Sequence, residues 1–206
     1  MSLRLRAIGF PEGGDQEGAK RALWEVARSG ERSGDSVRAT PFYGCDVLLD
    51  VDADLKARSL AVALDGQRQP MLVERVDHEA GLVVVDGFTC LDGHPITPIR
   101  CHPQGQCPDL EPGAAYAVEY AGFCEQIESG DGVYGSQVEG DSLVVGGVLF
   151  RCGRRRNSLT GADVYVATLW IPGALIPVCC PSDGAPEPGM DVRARMELYV
   201  TVCQRL

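Results

Sequence analysis

Val192-Arg193-Ala194-Arg195-Met196-Glu197-Leu198-Tyr199-Val200-Thr201-Val202 is the stretch on which the fold class turns. Val192, Ala194, Met196, Leu198, Val200 and Val202 stand at every second position, with Arg193, Arg195, Glu197, Tyr199 and Thr201 between them. Side chains of a strand point alternately to its two faces, so this pattern predicts a strand with one face buried. A helix would scatter the same residues around its circumference.

The same period runs back through the chain. Asp163–Ile171, with Tyr165 and Trp170, reads as a strand, and so does Leu143–Cys152, interrupted at Gly146-Gly147 by a bulge. Tyr116, Val118, Tyr120 and Cys124 alternate with Ala117, Glu119 and Phe123. Earlier runs at Val47–Val51, Leu60–Leu64, Met71–Val76 and Leu82–Val85 are separated by turn signals such as Asp65-Gly66, which predicts an antiparallel meander. Residues 92–113 carry Pro95, Pro98, Pro103, Pro108 and Pro112 and read as loop. Ser29–Thr40, rich in Ser, Gly and charge, reads as loop or linker. Helical spacing is good only over 15–29, where Ala19, Leu23, Val26 and Ala27 recur, Asp15 is placed to cap and Gly30 to stop. The expectation is a mainly β chain, barrel or sandwich-like and antiparallel, with one N-terminal helix.

Glu128–Asp141, full of Gly and acidic residues, is the best internal boundary. It divides the chain into a helix and linker (1–40), a first β domain (41–130) and a second (131–206). The two β segments share features. Pro98-Ile99-Arg100-Cys101 returns 79 residues later as Pro177-Val178-Cys179-Cys180, Glu111-Pro112-Gly113 returns after 76 as Glu187-Pro188-Gly189, and Cys124 matches Cys203. A real repeat would make the protein two copies of one small β unit.

Composition sets limits on function. The 206 residues carry a net charge of −10, which repels nucleic acid except at a concentrated basic patch. No secretory signal or apolar span is apparent: Gly9, Pro11 and Glu12 follow Arg4 and Arg6, and the longest apolar run, Ala167–Cys180, contains Pro172 and Pro177. Nine cysteines without an export signal predict reduced, buried thiols and a cytoplasmic protein.

Three segments carry candidate chemistry. Cys90, His94, Cys101, His102 and Cys107 are zinc-type ligands, but their irregular spacing lacks paired knuckles, so no cofactor is predicted and zinc is the fallback. A thiol nucleophile with His94 or His102 as base is the enzymatic reading, although neighbours such as Cys101 and His102 point apart in a strand. Arg151, Arg154, Arg155 and Arg156 form the basic cluster, expected at an exposed turn and suited to an anion or a partner. Gly140-Asp141-Ser142-Leu143 spells the nucleophile block of the GDSL esterases. The resemblance stops there, because no histidine follows His102 to serve as base.

The functional expectation is a non-enzymatic binding or assembly module of β-barrel type with a protein partner or a second copy of itself. The alternatives are a small thiol- or metal-dependent enzyme using 90–107 and an oligonucleotide-binding barrel. Nucleic acid and membrane are not expected partners.

Overall fold

A computed structural model describes all residues except 1–2, 11–15, 53–56, 80–81, 106–107, 140–141 and 182–186. Two short helices, α1 (Leu3–Ala7) and α2 (Gln16–Ser29), precede β1 (Glu31–Ser33), β2 (Ser36–Phe42), β3 (Cys45–Val51) and β4 (Ala57–Leu64). Then come β5 (Arg68–Glu79), β6 (Leu82–Leu91), β7 (His94–Pro103), β8 (Ala115–Ser129), β9 (Gly135–Glu139), β10 (Ser142–Arg156), β11 (Asp163–Ile171), β12 (Ala174–Pro181) and β13 (Asp191–Arg205). The fold is mainly β, and most pairings are antiparallel. β13 buries Val192, Ala194, Met196, Leu198, Val200 and Val202, the face that its alternation predicts. α2 covers the predicted helix and buries Val26; the Asp15 cap lies outside the described residues. Gly30 ends it by close approach, since a Cβ there would stand 2.6 Å from Val37 Cγ1 and 2.7 Å from the Arg38 carbonyl oxygen.

Three segments differ from their sequence reading. Ser29–Thr40 is not linker but the hairpin β1–β2, in which Val37 and Ala39 are buried. Residues 94–103 are not loop but β7. Its prolines are tolerated because β7 pairs along 94–101 with β6 alone, leaving one edge where no N–H is needed. β4 and β5 are successive apolar runs but not hairpin partners. β4 completes the sheet β1-β2-β3-β4, while β5 enters a nine-stranded sheet that draws strands from both sides of residue 130.

In that second sheet the pairings close into two circuits, β5–β6–β7–β13–β8 and β10–β11–β12–β8–β13. The antiparallel pair β8–β13 belongs to both. Each long strand starts beside its own meander, β8 on β5 and β13 on β10. It then crosses to the other, where two short parallel contacts join Gly122 to Val178 and Tyr199 to His102.

Corresponding contacts recur 76 residues apart. Leu72 pairs with Ala115, and Val148 with Asp191. The Gly113 amide donates to the Val73 carbonyl at 2.8 Å, and the Gly189 amide to the Leu149 carbonyl at 2.7 Å. Both glycines have positive φ, 82° and 86°, which suits Gly in each Glu-Pro-Gly turn. The ladder slips once at Val73/Arg75 and once at Leu149/Arg151.

The inner faces of both circuits form one apolar core that includes Tyr116, Tyr120, Leu149, Ile176 and Met196. A second core lies between the four-stranded sheet with its helices and the outer faces of β8, β11 and β12, where Ala121, Phe123, Val164 and Cys179 are buried. Each large buried side chain contributes roughly 1.5–3 kcal/mol. Polar bridges fix the two layers. The Gln104 amide accepts from the Val62 N–H at 3.2 Å and donates to its carbonyl at 2.9 Å, and Asn157 Nδ2 donates to the Ile8 carbonyl at 2.7 Å.

Candidate functional site

Along β11, Val164 and Val166 face the second core and Thr168 and Trp170 continue on the same side, past the point where the four-stranded sheet covers them. Pro177 and Leu175 of β12 pair with Thr168 and Trp170 and extend this face. The uncovered end is the floor of an open groove of about 940 Å³. Gly66, Gln67 and Gln69 wall it on one side, Leu91 and Ile96 of the β6–β7 hairpin on another, and Phe150 and Arg151 stand at the β10 slip. Leu91 and Phe150 are each 57% exposed and Ile96 41%, so three apolar side chains meet water around one cleft.

The groove is built rigidly. The Pro172 carbonyl in the β11–β12 turn accepts hydrogen bonds from Thr89 Oγ1 at 2.9 Å and Thr97 Oγ1 at 2.7 Å, and both threonines are buried. Gly173 follows with φ +82°, and a Cβ there would stand 2.7 Å from Thr89 Oγ1. The Gln69 amide pairs with Leu175 as a strand would, donating to its carbonyl and accepting from its N–H, both at 2.6 Å. The Trp170 ring rests edge-on against Tyr134 with centroids 5.5 Å apart, and the Tyr134 hydroxyl donates to Asp191 at 2.7 Å. Gly147 admits the chain beside this floor: a Cβ would lie 2.3 Å from the Trp170 carbonyl oxygen. No slip interrupts the β10 ladder at Gly146-Gly147; the slip falls three residues later, before Arg151.

The arginine cluster is exposed but does not occupy a turn. Arg151, Arg154, Arg155 and Arg156 lie on β10, which pairs with β11 as far as Arg156↔Asp163. The turn chemistry falls just beyond, where Asn157 Oδ1 accepts from the Leu159 and Thr160 amides and Gly161 takes φ +75°. An exposed strand edge tolerates arginine, so the ladder runs through the cluster and alternation splits it. Arg151 and Arg155 share one face, Arg154 and Arg156 the other. Of the four, only Arg151 lines the groove.

The cysteine and histidine segment is spread over two strands. Cys101 points into the first core, its sulfur 3.8 Å from Met71 Sδ, while His102 faces the opposite way with its ring 5.3 Å from that of Tyr199. Cys90 is buried on β6, His94 is exposed at the start of β7, and Cys107 lies outside the described residues. Among the described residues no three His, Cys, Asp or Glu side chains converge. The eight described cysteines are free. Burial raises the thiol pKa of Cys90, Cys124 and Cys179, and pushes Cys180 up to about 12. Such thiols stay protonated and are poor nucleophiles at neutral pH. Ser142 opens β10 beside Gly140 and Asp141, which lie outside the described residues.

The first meander carries an ion-pair network in place of a groove. Asp86 on β6 receives Arg75 from β5 and Arg100 from β7, the latter through Nε at 2.7 Å and Nη2 at 3.1 Å, and Arg75 Nε also reaches Asp77 at 3.1 Å. Hydrogen bonds from Arg100 and then Arg75 hold the Asp86 carboxyl below the usual range, against the partial burial that raises it. A depressed folded-state pKa contributes stability above the unfolded carboxylate pKa and loses it as pH falls through the folded value. Asp86→Asn is therefore expected to cost about 1–2 kcal/mol near neutral pH, modest because Arg75 is largely exposed. Thermal unfolding of both proteins from about pH 7 to about pH 3 should show the difference shrinking as acid is added. A difference independent of pH would deny the pair this role.

Trp170, Phe150, Leu91, Ile96 and Gln69 were not legible as a site. They come from five separate strands, and only their exposure on a rigid floor distinguishes them from core residues. No family model, curated protein or solved structure matches the chain.

Proposed function

We propose that the protein is a non-enzymatic binding module built from two copies of one β unit, the second of which has opened into an apolar binding groove. The duplication accounts for the turns and slips that recur at an interval of 76 residues. The observation that carries the binding reading is the groove itself: about 940 Å³, apolar, walled by three separate segments and braced by buried hydroxyls and an amide. Preformed apolar clefts of this size are the usual form of ligand sites. The protonated thiols and the scatter of Cys90, His94, Cys101 and His102 favour binding over thiol or metal chemistry. In this reading the protein works in the cytoplasm; no helix among the described residues is long and apolar enough to cross a membrane.

The test uses the uncharged dye Nile red, which brightens in apolar surroundings. Wild-type protein is expected to bind it saturably, and Leu91→Ser with Ile96→Ser to weaken binding about tenfold through lost apolar contact. Leu82→Ser, an equally exposed apolar position away from the groove, should leave the curve unchanged. No saturable signal in the wild type, or equal loss in the Leu82 variant, would reject the groove as the site.

A further inference from the structure

The two ladders give an internal comparison at the groove. In β5–β6 the register runs Val73↔Gly87, slips, and resumes at Arg75↔Asp86. In β10–β11 it runs Leu149↔Leu169, slips, and resumes at Arg151↔Thr168. Arg75 and Arg151 thus hold the same position, the first residue past the slip. Their surroundings differ in one respect. Arg75 has a carboxylate directly across the ladder, Asp86, and a second at Asp77. Arg151 faces Thr168, and its side chain has no hydrogen-bond or ion-pair partner among the described residues. The first unit therefore carries its own carboxylate, and the second carries a groove where that carboxylate would be.

We infer that the groove takes a small amphipathic carboxylate, whose anionic end occupies at Arg151 the place that Asp86 fills beside Arg75, and whose apolar body lies on Trp170 and Leu175. The inference rests on the groove reading above and adds the chemistry of the guest. A guanidinium presents paired N–H donors that match a carboxylate's two oxygens, so the cation selects this head group over a neutral one. The groove suits a small molecule better than an extended peptide. A peptide would add to a strand edge, and at the floor the Leu175 N–H and carbonyl are already taken by Gln69. Asp65, the carboxylate on the rim, turns toward Gly44, where an added Cβ would lie 3.5 Å from its Oδ2, and so leaves Arg151 unneutralised. It also disfavours a guest with a second anionic end.

Trp170 reports on the floor directly. The chain has two tryptophans, so Trp24→Phe leaves Trp170 as the sole indole. Octanoate and its neutral counterpart octanamide serve as probes, titrated at constant ionic strength against this protein. Octanoate is expected to bind about tenfold more tightly, the equivalent of about 1.4 kcal/mol. Arg151→Gln should remove that preference and leave octanamide binding within about twofold. Thr168→Asp, which restores the arrangement of the first unit, should also remove it. Arg154→Gln, on the other face of β10, should leave it intact. Equal affinity for the two probes in the parent protein would overturn the inference while the groove reading stands. A preference that survives Arg151→Gln, or disappears in Arg154→Gln, would also overturn it. Binding of neither probe, together with a flat Nile red curve, would remove the groove reading itself.

Discussion

Phe123→Ala is expected to lower stability by about 3–5 kcal/mol, a large share of the total for a protein of this size. Phe123 lies on the outer face of β8, fully buried in the core between the two layers, with its ring edge-on to Tyr199 at 5.7 Å. Truncation removes the largest side chain that β8 contributes to this interface. The cavity cannot collapse easily, because β8 is held along its length by β13 and at Phe123 by Cys179 of β12. The core inside the circuits does not contain Phe123 and should stay packed. Chemical denaturation is the measurement, with a lower midpoint and an unchanged slope as the expected signature. A cost below about 1 kcal/mol would mean that the four-stranded sheet is only loosely docked.

Gln104→Leu should cost about 2–6 kcal/mol although it keeps the volume of the side chain. Gln104 and Val62 are both buried, and the Gln104 amide satisfies the N–H and the carbonyl of Val62 at once. Leucine would strand both backbone groups away from water, at about 1–3 kcal/mol each. Gln104→Glu separates the polar from the steric part: it keeps an acceptor for the N–H but offers the carbonyl no donor once ionised, so its penalty should shrink on acidification. Equilibrium unfolding of both variants at two pH values checks this. A Leu variant as stable as the wild type would show that water replaces the amide.

The strands were legible where alternation is strong, as in β13, whose six apolar residues all face the core. Their limits were legible only where turn chemistry and the pattern agree. β7 was hidden by Pro95, Pro98 and Pro103, because proline content signals a loop unless one knows that an edge will be left unpaired. The end of β10 is hidden because arginines look like turn surface, yet a hydrogen-bonded ladder is indifferent to charge on its exposed edge. The two Glu-Pro-Gly turns are visible in sequence, but the hydrogen bonds that both make join residues far apart in the chain and are not. The groove was least legible of all. Trp170 and Leu175 have the composition of core residues, and only the point at which β4 gives way to the 65–67 segment leaves them uncovered. Of the candidate residues named from sequence, Arg151 alone borders it.

The sharing of β8 and β13 between the two circuits also governs the order in which the chain can become a protein. β7 finds its parallel partner at Tyr199 and Val200, roughly 100 residues further along. At about 5–20 residues per second, a ribosome needs on the order of 5–20 s to deliver that partner. Over that interval β5, β6 and β7, with β8 paired to β5, form at most an open sheet whose circuit lacks its closing strand. β8 waits likewise for β12. The growing polypeptide therefore cannot complete the first circuit and move on; both circuits include β13 and close only after it has emerged.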